Sequence, residues 1–453
     1  MAHRLTLCQM VEHLHARKLS PRELLDAHLK NIAALNPQVN AFVRMLEEPV
    51  FRDGPLGGVP ISVKDCFDVA GVPTTCGSTL LENKAAAHDA TTVTRLKQAG
   101  AVLIGKTNCP EFLSNYESDN FVAGRSNNPW NLERTPGGSS GGEAAAIAAR
   151  FSAGGIGSDG GGSIRVPAHF TGIVGLKPTP GRVSSAGHVP PMLHPAGMVG
   201  VAGPMARTAA DVRLLFRVLA GYDARDPFST PVPLRDANLQ GLRVGLMETF
   251  NKVPVQASVA QALQKAAACL GELKIPVEPF SAQGLERAPN LWWMLFGVLP
   301  ARITQDMIAG REERVHWTGT EFHHQAIAEP EPTVKQLLEI FAARDKMRAG
   351  LLRQMEQYPV LLAPVSSVSA FAHRQRRYAT PAKEIGQFQA MMPATWVNLL
   401  GLPAISIPFG VDEDGLPVGV QLVARPFEEE LLLDLAVELE KVRGAFRAPP
   451  LLR

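Results

Sequence analysis

Apolar side chains recur at helical spacing over residues 4–18, then again after Ser20-Pro21-Arg22-Glu23. That tetrapeptide reads as a helix start, with Ser20 as N-cap, Pro21 opening the first turn and Glu23 three residues past the cap. The spacing predicts that this second helix runs to about Ala34, before Asn36-Pro37. From residue 56 to 165 the pattern changes. Short apolar runs, Val59 to Val63 and Ala101 to Ile104, alternate with helical windows at 90–99 and 143–151. The runs lack period-two alternation and are flanked by Gly and Pro, which suits strands buried on both faces. Windows 205–222 and 255–273 read as amphipathic helices. Strand-like runs return at 359–366 and 403–409, and 427–443 predicts a last helix.

Residues 285–358 differ in texture. They are helical, and they carry Trp292, Trp293, Trp317, Phe296 and Phe322 among many Met and charged residues. They read as an insertion or cap beside an α/β core. The stripe Leu291-Trp292-Trp293-Met294-Leu295-Phe296 fits either core packing or a pocket wall.

Composition narrows the class. The 453 residues are 45% apolar and 19% charged, which suits a globular enzyme with a large core. The net charge is only +2, and no basic stripe or acidic tail points to nucleic acid or an anionic membrane. Five widely spaced cysteines form no C-x-x-C, so neither a disulfide framework nor a zinc site is expected. Reduced thiols and the absence of an apolar leader lead to an expected cytoplasmic location. No apolar run is long enough to predict a membrane helix.

Two glycine-serine clusters carry the candidate chemistry: Pro136-Gly137-Gly138-Ser139-Ser140-Gly141-Gly142-Glu143 and Ser158-Asp159-Gly160-Gly161-Gly162-Ser163. Glycine this dense is costly in conformational entropy. It suits places where backbone N–H groups converge on an anion or the chain approaches a reacting atom. Ser163 follows the glycines immediately, ahead of a plausible first helical turn. A serine nucleophile needs a base. None of the twelve histidines is tied to it by a motif, and no metal-ligand spacing occurs. Lys64 is the candidate base, because a lysine at the end of a buried run is unusual. Only about 1 in 2,500 lysines is neutral at pH 7, and burial raises that fraction. The plainer alternative is an ion pair of Lys64 with Asp65 or another carboxylate. Two pattern matches are set aside. Gly100 to Thr107 fits the written P-loop pattern, but its middle is the predicted strand itself. Ser139 and Ser140 fit G-x-S-x-G, but the polar, turn-rich residues 127–135 before them supply no strand for an elbow.

These residues together resemble the amidase signature family of Ser-Ser-Lys hydrolases. The matching segments are GGVPISVKD at 57–65, AVLIGKTNCPEF at 101–112, NNPWN at 127–131, TPGGSSGGEAAAIAA at 135–149 and SDGGGSIRVPAHFTGIVGLKPTPGRVS at 158–184. VLLAP at 360–364, NLLGLPAISIPFG at 398–410 and GLPVGVQLV at 415–423 extend the likeness over nearly the whole chain. The resemblance implies an α/β fold: a large, mixed, twisted β-sheet covered by helices on both faces. It implies one amidase domain over 1–453, with N-terminal helices in 1–55, a signature core in 56–204, and a variable helical cap at 285–358 near the substrate entrance.

By motif position Lys64 resembles the family's catalytic lysine. Ser139 resembles the bridging serine, which the family holds on a cis peptide, and Ser163 the nucleophile. Gly160, Gly161, Gly162 and the Ser163 N–H resemble the oxyanion hole, Asp159 and Arg165 the residues that brace the loop, and Ser140 a supporting hydroxyl. The implied reaction is hydrolysis of small amides, esters or carbamates through an acyl-enzyme, with no cofactor, by a monomer or homodimer. The alternative is the glutaminase-type component of a tRNA-dependent amidotransferase. The Tyr-Asp-Gly-x-Arg-Tyr segment of such components does not occur between 285 and 390. The aromatic stripe favours apolar or aryl substrates. One departure stands out: many relatives carry Thr or a bulkier residue at the position of Gly160. A more open loop is expected there, unless the change is neutral.

Overall fold

The computed structural model describes all residues except Met1, Glu48, Phe446 and Arg453. Its strands are β1 Phe42–Met45, β2 Pro60–Lys64, β3 Val102–Thr107, β4 Gly154–Asp159, β5 Val174–Lys177, β6 Val201–Ala206, β7 Val244–Leu246, β8 Val277–Pro279, β9 Val360–Pro364, β10 Arg377–Ala379, β11 Glu384–Gly386, β12 Ala404–Val411 and β13 Pro417–Ala424. Eleven of them form one mixed sheet in the order β1-β3-β2-β4-β6-β5-β12-β13-β9-β7-β8, and β10 pairs with β11 apart from it. The fold is the mixed α/β sheet the resemblance implied.

The sheet is covered on both faces. Along β13, Val418, Val420, Leu422 and Ala424 enter the largest core cluster, while Val423 turns to a second cluster shared with residues of 285–358. In β6, Ala202 and Ala206 face the first core and Met205 the opposite one. Helices Ala209–Leu219, Ala257–Glu272 and Glu429–Arg443 supply the first layer. The short helices Gly141–Ala148 and Arg165–Thr171 are wholly buried on the other side. β2 lies parallel to both β3 and β4, so the carboxyl ends of these strands share one sheet edge. Ligand sites in open α/β sheets gather at such an edge.

Several predicted boundaries shift. The second helix spans Pro21–Val39 and runs through Pro37; Asn40, with φ of 51°, ends it. The Ser20–Glu23 capping box forms as expected. The window 205–222 begins as the end of β6, and its helix spans Ala209–Leu219. A helix over Gln387–Leu399 was not anticipated, because it is buried almost all round and carries no amphipathic period. The region 285–358 is helical as expected: Ala288–Trp292, Leu299–Ile308, Trp317–Ala328 and Val334–Gln354, with a widened π-turn over Trp293–Val298. No helix among the described residues is long and apolar enough to cross a membrane.

Candidate active site

Lys64 is the last residue of β2, and it is fully buried. Its Nζ lies 2.6 Å from Ser139 Oγ and 3.1 Å from Ser158 Oγ. The alternative reading of Lys64 as the ion-pair partner of Asp65 does not hold, because Asp65 pairs with Lys106 at 2.7 Å and also accepts from the Thr75 amide at 3.1 Å. The β2–β4 pairing sets Ser158, one residue from the end of β4, beside Lys64. Nothing in the sequence singled out Ser158 for this contact.

Ser139 follows a cis Gly138–Ser139 peptide. Its loop is clamped by Ser118, whose hydroxyl donates to Gly137 O and accepts from Gly141 N, each at 3.1 Å. The Ser140 amide donates to Ser163 O at 3.1 Å, which ties the two glycine-serine clusters together. The Ser140 hydroxyl supports the same seam, donating to Ser158 O at 3.3 Å. Ser139, Ser158 and Ser163 all border one cavity of about 380 Å³. Ser163 is the most accessible of the three, at 8% against 1% for Ser139 and 3% for Ser158.

Asp159 and Arg165 form a buried ion pair beside the loop that carries Ser163. Both carboxylate oxygens of Asp159 meet the Arg165 guanidinium at 3.0 Å. Burial alone would raise the Asp159 pKa, but the charge and hydrogen bonds of Arg165 hold it well below the ordinary carboxylate range. Asp159 also accepts from the amides of Gly162 at 2.7 Å and Ile164 at 3.1 Å. The Gly162 N–H, expected in the oxyanion nest, is therefore spent on Asp159. Gly162 has φ of +111°, a backbone state open to glycine, which turns its amide toward that carboxylate. The amides of Gly160, Gly161 and Ser163 have no protein acceptor among the described residues.

Four residues that sequence reasoning missed complete the brace. Asn398 donates to Asp159 Oδ1 and to Asp159 O, each at 2.9 Å. Gln421 accepts from Arg165 at 2.7 Å. Tyr116 donates its hydroxyl to Gly161 O at 2.7 Å, and Trp292 its indole N–H to Gly160 O at 2.8 Å. With their carbonyls pinned, the Gly160 and Gly161 peptides keep a fixed tilt. Trp292 was legible only as a member of the aromatic stripe. Asn398 and Gln421 lie far along the chain, in the matching segments 398–410 and 415–423, but nothing in those segments assigned them to the site.

Behind Lys64, Glu143 is buried with Ser62 and Thr107 donating to its two carboxylate oxygens. Burial pushes its carboxyl up to about 7 against the pull of those bonds. The cavity itself is apolar, with Leu113, Met192, Phe296, Ile303, Ile308 and Phe322 among its walls. Residues of 285–358 thus line the pocket as well as packing against the core. No Asp, Glu, Lys or Arg lines it among the described residues. No group of three or more His, Cys, Asp or Glu residues suited to a metal occurs among the described residues. The loop at Gly160 is not open as expected, because the Phe296 ring fills the space that a side chain there would take.

Such an arrangement, a buried lysine on a serine beside a glycine nest, is the equipment of a serine hydrolase. The amidase family model matches residues 23–433, and this chain belongs to the amidase signature family. It is 33% identical to the A component of the glutamyl-tRNA(Gln) amidotransferase of Pseudomonas syringae pv. syringae (strain B728a), over 97% of this chain and 98% of that one. The structure of 6-aminohexanoate cyclic dimer hydrolase with its substrate superposes with a TM-score of 0.88 at 30% identity, covering 100% of both chains. A bacterial aryl acylamidase shares the fold, with a TM-score of 0.85 at 24% identity over 97% of this chain and 96% of that one. The protein is an amidase-signature hydrolase.

Proposed function

We propose that the protein hydrolyses small apolar or aryl amides, and by the same chemistry esters and carbamates, through an acyl-enzyme on Ser163. The 2.6 Å contact between Lys64 and Ser139 carries this reading. In its neutral form Lys64 accepts the Ser139 proton while keeping an N–H for Ser158. Ser139 takes the proton of Ser163 as Ser163 Oγ bonds to the substrate carbonyl carbon. The amides of Gly160, Gly161 and Ser163 receive the developing oxyanion. The proton returns through Ser139 to the leaving nitrogen as the C–N bond breaks. Water then adds to the acyl carbon under the same base and releases the acid and free Ser163.

The apolar lining supports this substrate class. Glutamine would bring an α-ammonium and an α-carboxylate into a cavity whose walls hold no Asp, Glu, Lys or Arg among the described residues. The likeness to the amidotransferase relative keeps glutamine as the second reading. A turnover panel separates the two: an anilide, a fatty amide, an aryl carbamate, a nitrophenyl ester and glutamine. The expected outcome is turnover of the apolar substrates and none of glutamine, with Ser163→Ala losing both turnover and fluorophosphonate labelling. Glutamine as the sole substrate would replace this reading with the amidotransferase one.

A further inference from the structure

The glycine loop and the cap meet at two aromatic rings. A Cβ on Gly160 would lie 2.2 Å from Phe296 Cε2 and 2.4 Å from Cζ. A Cβ on Gly161 would lie 2.4 Å from Trp292 Cζ2. All three distances are far inside van der Waals contact, so ring and side chain exclude each other. Trp292 and Phe296 are stacked, with centroids 5.3 Å apart and planes inclined by 24°. Trp292 is locked from below by its bond to Gly160 O and flanked by Phe388 at 6.2 Å. Phe296 sits on the π-turn Trp293–Val298, the kind of widened turn that re-aims side chains at functional sites. Phe296, Gly160 and Ser163 border the same cavity.

We infer that Gly160 and Phe296 form a size-exchange pair in which the Phe296 ring sets how much branching the substrate carries next to its reacting carbonyl. This deepens the proposed function and rests on Ser163 as nucleophile. The ring occupies the volume beside the nest that receives the carbonyl oxygen. It offers a flat apolar face to an unbranched chain or an aryl group, and it collides with a substituent that branches at the first carbon. The stack on Trp292 keeps the ring from retreating, so bulk added at position 160 drives it into the cavity.

The test compares linear butyranilide with branched isobutyranilide and pivalanilide. Phe296→Ala is expected to raise the branched-to-linear ratio of kcat/KM at least about tenfold, the scale of a methyl-sized discrimination in an apolar pocket. Gly160→Ala is expected to lower the ratio and the overall rate. The double variant is expected to recover the rate and a ratio near that of Phe296→Ala, because the added methyl then has room. Fluorophosphonate labelling, with the labelled peptide located, runs alongside. An unchanged ratio with label on Ser163 overturns the size-exchange pair alone. Label on another residue overturns the nucleophile assignment, and the inference with it. If Phe296→Ala does not fold, Phe296→Leu carries the same comparison, and failure of the double variant to rescue Gly160→Ala counts against the pair.

Discussion

Lys64, the proposed base, is buried against two hydroxyls, while Asp65 turns to Lys106. Lys64→Ala is therefore expected to lower kcat by about a thousandfold or more, with near-normal far-UV circular dichroism and labelling that slows with it. Trp292 is expected to act one step removed, as a positioning residue, through its bond to Gly160 O. Trp292→Phe keeps a ring but removes the donor to Gly160 O. The expected outcome is a fall in kcat of about tenfold, the worth of one hydrogen bond, with KM little changed. A change confined to KM would place Trp292 in substrate binding instead.

Among the elements, the short ones do the positioning and the long ones the packing. The helix Arg165–Thr171 is two turns long and fully buried, and Arg165 at its start holds Asp159, Gln421 and Asn398 at once. The helical region 285–358 is tied to the rest of the chain through polar contacts. Arg376 bridges Glu117 and Glu321 at 2.7 Å each, and the Trp317 ring lies under both Arg374 and Arg376 at about 5 Å. By contrast, the helix Pro21–Val39 begins at an exposed capping box where Ser20 and Glu23 satisfy each other's backbone. Ser20→Ala is expected to cost about 1 kcal/mol in denaturant unfolding with no effect on turnover. Its start was legible in the sequence because a cap is local. Its end was not: Pro37 loses one helical bond, yet the helix continues to Asn40, whose left-handed backbone ends it.

At the scale of the whole molecule, the core tolerates buried charge where several segments converge on it. Glu143 is buried without a cation at hydrogen-bond distance among the described residues, and it makes stability depend on pH. Its carboxyl titrates near 7 in the folded protein and at about 4.5 when free. Between these values the folded state holds a proton that the unfolded chain has released. Stability from this group is thus greatest below about pH 4.5, falls as pH rises to about 7, and stays low above. The difference in unfolding free energy between wild type and Glu143→Gln is expected to shift by about 3 kcal/mol between pH 5 and pH 8, against the wild type. Parallel unfolding curves at the two pH values check it, and a constant difference would mean that Glu143 does not titrate in that range.

The chain by itself determined the family, the residue types of the site, and the elements whose signals are local. The glycine-serine clusters, the lysine at the end of an apolar run and the capped helix starts are all readable in short windows. Tertiary structure alone decided which partners those residues meet. Parallel pairing of β2 with β4 put Ser158 against Lys64. The Asp159 carboxylate drew off the Gly162 amide, leaving the other amides of the nest. Asn398 and Gln421 reached Arg165 from the far end of the chain, and Phe296 filled the space beside Gly160. The reason is physical. Backbone conformation and burial pattern are set mostly by near neighbours, whereas the direction of a hydrogen bond and the occupancy of a cavity depend on side chains that only folding brings within a few ångströms.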